Sequence, residues 1–122
     1  MQCTVWERAW YMRGMENLMV DMMTEDPIAE AILDRVTEIA VLRAESYARS
    51  GVDVLFLGDD AGMQHAVMMS EELYCTWLKP RLSRVIAAAR AINPVRREVF
   101  RNLDIAGECG GLYPRLSGIS LK

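Results

Sequence analysis

The sequence predicts an α/β fold, with helices packed around a parallel strand, and three observations carry that expectation. Two stretches, from Val5 to about Met23 and from about Pro27 to Ser50, repeat apolar residues at helical spacing. After them "VDVLFL", residues 52–57, is an apolar run of strand length, of the kind found in strands covered on both faces. The resulting order of helix, helix, strand, loop and helix implies right-handed βαβ units. Only one strand is clear, so the chain reads as a helix-rich piece of something larger.

Each element has a local reason. In the first helix Trp6, Trp10, Met15, Leu18, Met19 and Met22 fall near one face, and Gly14 is an interior glycine that marks close packing or a ligand near the backbone. "TEDP" breaks that helix. Asp26 can cap the next one and Pro27 suits its first position, where a missing N–H costs nothing. Ile28, Ile32, Val36, Ile39, Ala40 and Tyr47 form its expected buried stripe, and Gly51 stands where a left-handed cap is wanted. Gly58 to Met69 reads as a loop. Ser70 caps a further helix carrying Leu73, Trp77, Leu82, Val85, Ile86 and Ala89, with Pro80 kinking or breaking it. From about residue 95 to 122 no period is sustained and no strand is convincing.

Composition narrows the function. The 122 residues give room for one modest domain. Hydrophobic residues at 52% and charged residues at 25% are those of a globular chain. A formal charge of -3 argues against a nucleic-acid surface. No apolar run nears the roughly 18 residues of a membrane span, and the N-terminus lacks the basic-then-apolar order of a secretory signal. Cys3, Cys75 and Cys109 are odd in number and widely spaced, which points to reduced thiols in a cytoplasmic protein.

The strand ends at Asp59 and Asp60, and parallel α/β folds bind ligands at the carboxyl ends of their strands. The pair suits acid–base work, hydrogen bonds to a cationic or N–H-rich ligand, or a hard metal; equally, Gly-Asp-Asp is good turn chemistry. Successive side chains diverge, so one of the two is expected to point into a site. His65, the single histidine, shares the loop with Gln64 and could donate a proton or a hydrogen bond, but alone it cannot build a zinc site. Tyr11, Arg13 and Glu16 could line a site, with the Arg13 fork suited to a carboxylate; the same spacing also fits an ordinary amphipathic helix with a surface ion pair. Nucleophile elbows, phosphate loops and dinucleotide fingerprints are absent.

Three segments, "AWYMRGMENLMVDMMTEDP", "GVDVLFLGDDAGMQ" and "MMSEELYCTWLKPRLSRVIAAARAINP", together resemble the uroporphyrinogen decarboxylase superfamily, nearest its decarboxylase-like branch close to the corrinoid-dependent methyltransferases. The specific pieces are R-G-x-E-N-L-x-x-D at Arg13 to Asp21, G-D-D-x-G at Gly58 to Gly62, and S-x-E-L…K-P-R-L from Ser70 to Leu82. The resemblance covers residues 1–94 and leaves 95–122 unassigned. It implies part of a (β/α)8 barrel with "VDVLFL" as an inner strand and "GDD" at its mouth. It places Tyr11 near a site tyrosine of the decarboxylases and Asp59 near a polar residue facing their substrate, as the catalytic pair. Asp60, Gln64, His65 and Arg13 are then the expected substrate contacts.

The implied activity is porphyrinogen decarboxylation in tetrapyrrole biosynthesis, which needs no cofactor. Two alternatives are a corrinoid-dependent methyltransferase fragment, which would use zinc, and a remnant that binds a tetrapyrrole without turnover. The N-terminal part carrying the decarboxylases' arginine-rich motif and catalytic aspartate is missing, as is the methyltransferases' H-x-C segment. The expectation is therefore a chain truncated at its front, out of frame after about Pro94, inactive alone and prone to self-association.

Overall fold

The computed structural model describes residues 1–61 and 68–93, and the backbone alone of 97–101. Helices dominate, as the periodicity requires. The predicted first helix is two: α1 spans Trp6–Arg13 and α2 spans Met15–Met23. Gly14 separates them with φ +86°, a left-handed value that costs a side chain about 1–2 kcal/mol and that only glycine takes freely. The interior glycine thus breaks the helix.

α3 runs Pro27–Arg49. Asp26 caps it, its carboxylate accepting from the Ile28 amide at 2.9 Å, and Gly51 closes it at φ +77°. Its buried face differs from the predicted stripe. Ala29, Leu33, Val36, Thr37, Ala40, Ala44 and Ala48 are buried, whereas Ile28, Ile39 and Tyr47 are exposed. Size misleads here: the alanines let a neighbouring helix come close, and the large residues are left outside.

That neighbour begins after Ser70, whose Oγ accepts from the Leu73 amide at 3.2 Å. A short α4, Glu71–Leu73, passes through a π turn at Tyr74–Leu78 into α5, Lys79–Ile92. Pro80 sits in the first turn of α5, where a missing N–H is tolerated, and the widened turn before it accommodates the ring. Leu82, Val85, Ile86 and Ala89 face the core. Arg81 ties α5 to α3 through an ion pair with Asp34 at 2.7 Å. Its Nη1 also donates to the Trp77 carbonyl at 2.8 Å, and its guanidinium lies 5.5 Å from the Trp77 ring centroid.

The predicted strand is β1, Val54–Gly58. Leu55 and Leu57 are buried against the helices, while Val54 is exposed and Phe56 and Gly58 are half-buried. The expectation of two covered faces fails: one face is covered. A second strand, β2 at Arg97–Arg101, pairs with β1 in parallel, Val54 opposite Arg97 and Gly58 opposite Arg101. No strand was expected there, because a segment bearing arginines at both ends does not read as buried.

The N-terminal segment supplies a third parallel piece. Gln2 forms a parallel bridge with Gly58; the Gly58 amide donates to the Met1 carbonyl at 2.7 Å and the Thr4 amide to the Gly58 carbonyl at 3.2 Å. The Met1 ammonium donates to the Phe56 carbonyl. Both backbone groups of a strand residue point to the same edge, so this segment and β2 flank β1 on opposite sides. The spatial order follows the chain order, and helices make each crossover. Cys3 is a free thiol, as expected. Cys75 is disulfide-bonded, against expectation, because spacing along the chain carries no record of which side chains the fold brings together.

Candidate functional site

The site is built where β1 ends. Cys3, at φ +52°, turns the chain from the N-terminal parallel segment into α1. The turn is held from several sides, since the Thr4 hydroxyl also donates to the Gly58 carbonyl at 3.2 Å. That hydroxyl is therefore not available to cap α1, and the residue before the helix, Val5, provides no side-chain cap.

Asp59 provides the cap instead. Its Oδ2 accepts from the amides of Val5 at 2.8 Å and Trp6 at 2.7 Å, and its Oδ1 from that of Glu7 at 2.8 Å. These are three of the four donors a helix N-terminus leaves unpaired, met by a negative charge at the positive end of the helix. Asp59 is only 8% exposed. Burial pushes its carboxyl above the ordinary value; the Glu7, Trp6 and Val5 amides hold it back, and the Glu7 carboxylate adds to the rise.

A cavity of about 520 Å³ opens beside this junction, lined by Gln2, Cys3, Glu7, Phe56, Gly58, Asp59 and Asp60. A Cβ on Gly58 would stand 2.8 Å from the Phe56 ring, so glycine keeps the wall open. Asp60 is exposed. Tyr11 is 62% exposed one turn along α1 from Glu7, and its hydroxyl lies 3.5 Å from the Glu7 carboxylate as donor. Burial, the charges of Glu7 and Cys3, the Glu7 hydrogen bond and the charge of Asp60 together raise the Tyr11 phenol. Tyr11 therefore stays protonated and can donate. The Cys3 thiol is also pushed up, by burial first, then by the Glu7 and Asp59 carboxylates and a hydrogen bond to Glu7. A thiol so held is a poor nucleophile.

Of the residues read from the sequence, Asp59 and Asp60 line this cavity, and Tyr11 stands outside it, tied to it through its contact with Glu7. Arg13 does not join them. Its Nε and Nη2 contact Asp21 at 2.7 and 3.3 Å, so the fork predicted to take a carboxylate takes one from its own chain. Gln64 and His65 lie outside the described residues. Glu7, Gln2 and Cys3 were not predicted, because nothing in sequence spacing says that residues 2–7 meet residue 59. Among the described residues no group of three or more His, Cys, Asp or Glu is placed to hold a metal ion, and no helix is long and apolar enough to cross a membrane.

Parallel strands, helical crossovers and an acid-lined cavity at the carboxyl end of a strand define an α/β protein with an open strand mouth, the place where such folds bind ligands. The uroporphyrinogen decarboxylase family model matches residues 4–110 of the 122, which takes in every element from α1 to β2. The chain belongs to that family. No curated protein and no solved structure matches it significantly.

Proposed function

We propose that the chain is a segment of a uroporphyrinogen decarboxylase-type barrel, and that the mouth of β1 forms part of a site for a tetrapyrrole. The observation that carries this reading is the cavity of about 520 Å³ with Glu7, Asp59 and Asp60 on its wall, in a chain of this family. Three successive parallel segments with helices between them support the barrel, since consecutive strands of a (β/α)8 barrel are neighbours. Carboxylates at the mouth suit pyrrole N–H groups, which donate. In decarboxylation a pyrrole ring gains a proton, and the C–C electrons return to the ring as carbon dioxide leaves. The methylene left behind takes up a proton to become methyl as the ring releases its own. The negative charge of Asp60 and Glu7 favours that cationic ring.

Turnover by this chain alone is not expected, since the mouth of one strand is a fraction of a closed site. The test is titration with uroporphyrin, read by its visible band, beside an assay for carbon dioxide release from uroporphyrinogen. A saturable band shift without release supports a binding segment. Release would show a complete enzyme, and an unshifted band would remove the tetrapyrrole from the reading. Sedimentation tests the barrel: a slice leaves the Val54 and Phe56 face open and exposes Met12, Met23 and Leu42, so self-association that grows with concentration is expected. A monodisperse monomer would count against it.

The methyltransferase alternative has no observation of its own here. Among the described residues no set of ligands for its zinc is assembled.

A further inference from the structure

The resemblance casts Asp59 as a residue that faces substrate. The geometry points to a different task. We propose that Asp59 is a positioning residue that fastens the start of α1 to the end of β1 and so holds Glu7 at the cavity and Tyr11 beside Glu7, rather than a group that contacts the ligand.

Four observations support this. Both carboxylate oxygens are occupied by amides of consecutive residues, at 2.7–2.8 Å. Asp59 is buried while its neighbour Asp60 is exposed. The helix has no cap of its own, and the nearest local candidate, the Thr4 hydroxyl, is turned to the Gly58 carbonyl. Finally, the Tyr11 hydroxyl lies 3.5 Å from the Glu7 carboxylate on the same helix, so the placement of Tyr11 follows that of α1.

A carboxylate with two lone pairs on each oxygen is the side chain that can take several amides at once. Asparagine keeps the shape but has one acceptor oxygen, and its NH2 would oppose an amide N–H. The device also explains the position of the acid: a cap drawn from residue 59 joins the two ends of a crossover in a way a local Ser or Asp could not. Glu7 contributes one of the bonded amides and is itself part of the cavity wall.

The inference holds whether or not the cavity takes a porphyrin, and its test uses no ligand. In Asp59→Asn, hydrogen exchange at the amides of Val5, Trp6 and Glu7 should speed up by about tenfold, the loss expected for a helix cap. In Asp60→Asn those amides should keep their protection. Tyr11, followed by the shift of its ring carbon with pH, should titrate at lower pH in Asp60→Asn, because a nearby negative charge is gone. It should do the same in Asp59→Asn, with no further drop in the double variant, because both changes remove the same influence. A merely structural cap would leave the Tyr11 titration unmoved in Asp59→Asn, and that result overturns the proposal. So does exchange of the three amides within twofold of wild type. Should Asp59→Asn fail to fold, the wild-type chain still decides. The amide shifts of Val5, Trp6 and Glu7 should share one pH midpoint with the Asp59 carboxyl carbon, and separate midpoints would sink the idea.

Discussion

The α3–α5 layer and the mouth of β1 are made of the same chain but finished to different degrees. In the helix layer alanines and leucines close over one another and the charged groups are spent internally, Arg81 on Asp34 and on the Trp77 carbonyl. At β1 only Leu55 and Leu57 are covered, while Val54 is exposed and the wall formed by Phe56 and Gly58 stands open beside carboxylates. The helix layer is where stability comes from. The strand mouth is left open beside it, and Asp59 fastens that mouth to the start of α1.

Truncating each region tests that division. Leu33 is fully buried on α3, so Leu33→Ala should cost about 2–5 kcal/mol, whereas Phe56→Ser on the open wall should cost under about 1 kcal/mol. Urea unfolding followed by circular dichroism gives both values; equal losses would mean that the strand face is as well packed as the helices. Next in size is Arg81→Met, which removes the tie to Asp34 and leaves the Trp77 contact weaker. Because Asp34 is half-exposed, the expected loss is about 1–2 kcal/mol, seen as a lower urea midpoint. Gly14→Ala should cost about 1 kcal/mol or more through its φ of +86°, although among the described residues the only near contact for a new Cβ is Asn17 at 3.4 Å. If Gly14→Ala is neutral, the break between α1 and α2 is not held by that backbone value.

Much of the helix layer was legible in the sequence. Asp26 and Ser70 cap where their side chains and positions say they should, and Gly51 takes its left-handed turn. These are local effects, settled within one turn of helix. The misread stripe of α3 shows the limit: which face is buried depends on α5, fifty residues on, and the small residues that admit it carry weak hydrophobic signals. β2 was missed because its arginines do not read as buried, and the strand that pairs with it, β1, lies far back in the chain. At the mouth, the general rule about strand ends drew attention to Asp59 and Asp60, which both lie on the cavity wall, but it did not say which of the two is buried. That depends on amides at residues 5–7, which no local pattern connects to residue 59.

The smallest effect expected concerns a second buried aspartate, and it separates the two ways this chain keeps an acid inside. Asp59 is held by backbone amides and is pushed up by burial, whereas Asp21 is held by Arg13. The Arg13 hydrogen bond, opposed by burial and helped by the Arg13 charge, keeps the Asp21 carboxyl below the usual carboxylate value. A depressed folded-state value means the pair's contribution is complete above the unfolded aspartate's pKa of about 3.9 and fades as pH falls through the folded value. Arg13→Met should therefore lie below wild type in stability at neutral pH, and the gap should narrow as the solution is made more acidic than that. Arg13 is over a third exposed, so solvent screens the pair and the gap itself should be small. Urea midpoints of both proteins at pH 7 and in the acid range measure it. A gap that stays constant across the range would mean that Asp21 is buried by packing alone, and that the Arg13 fork is open to a carboxylate from elsewhere.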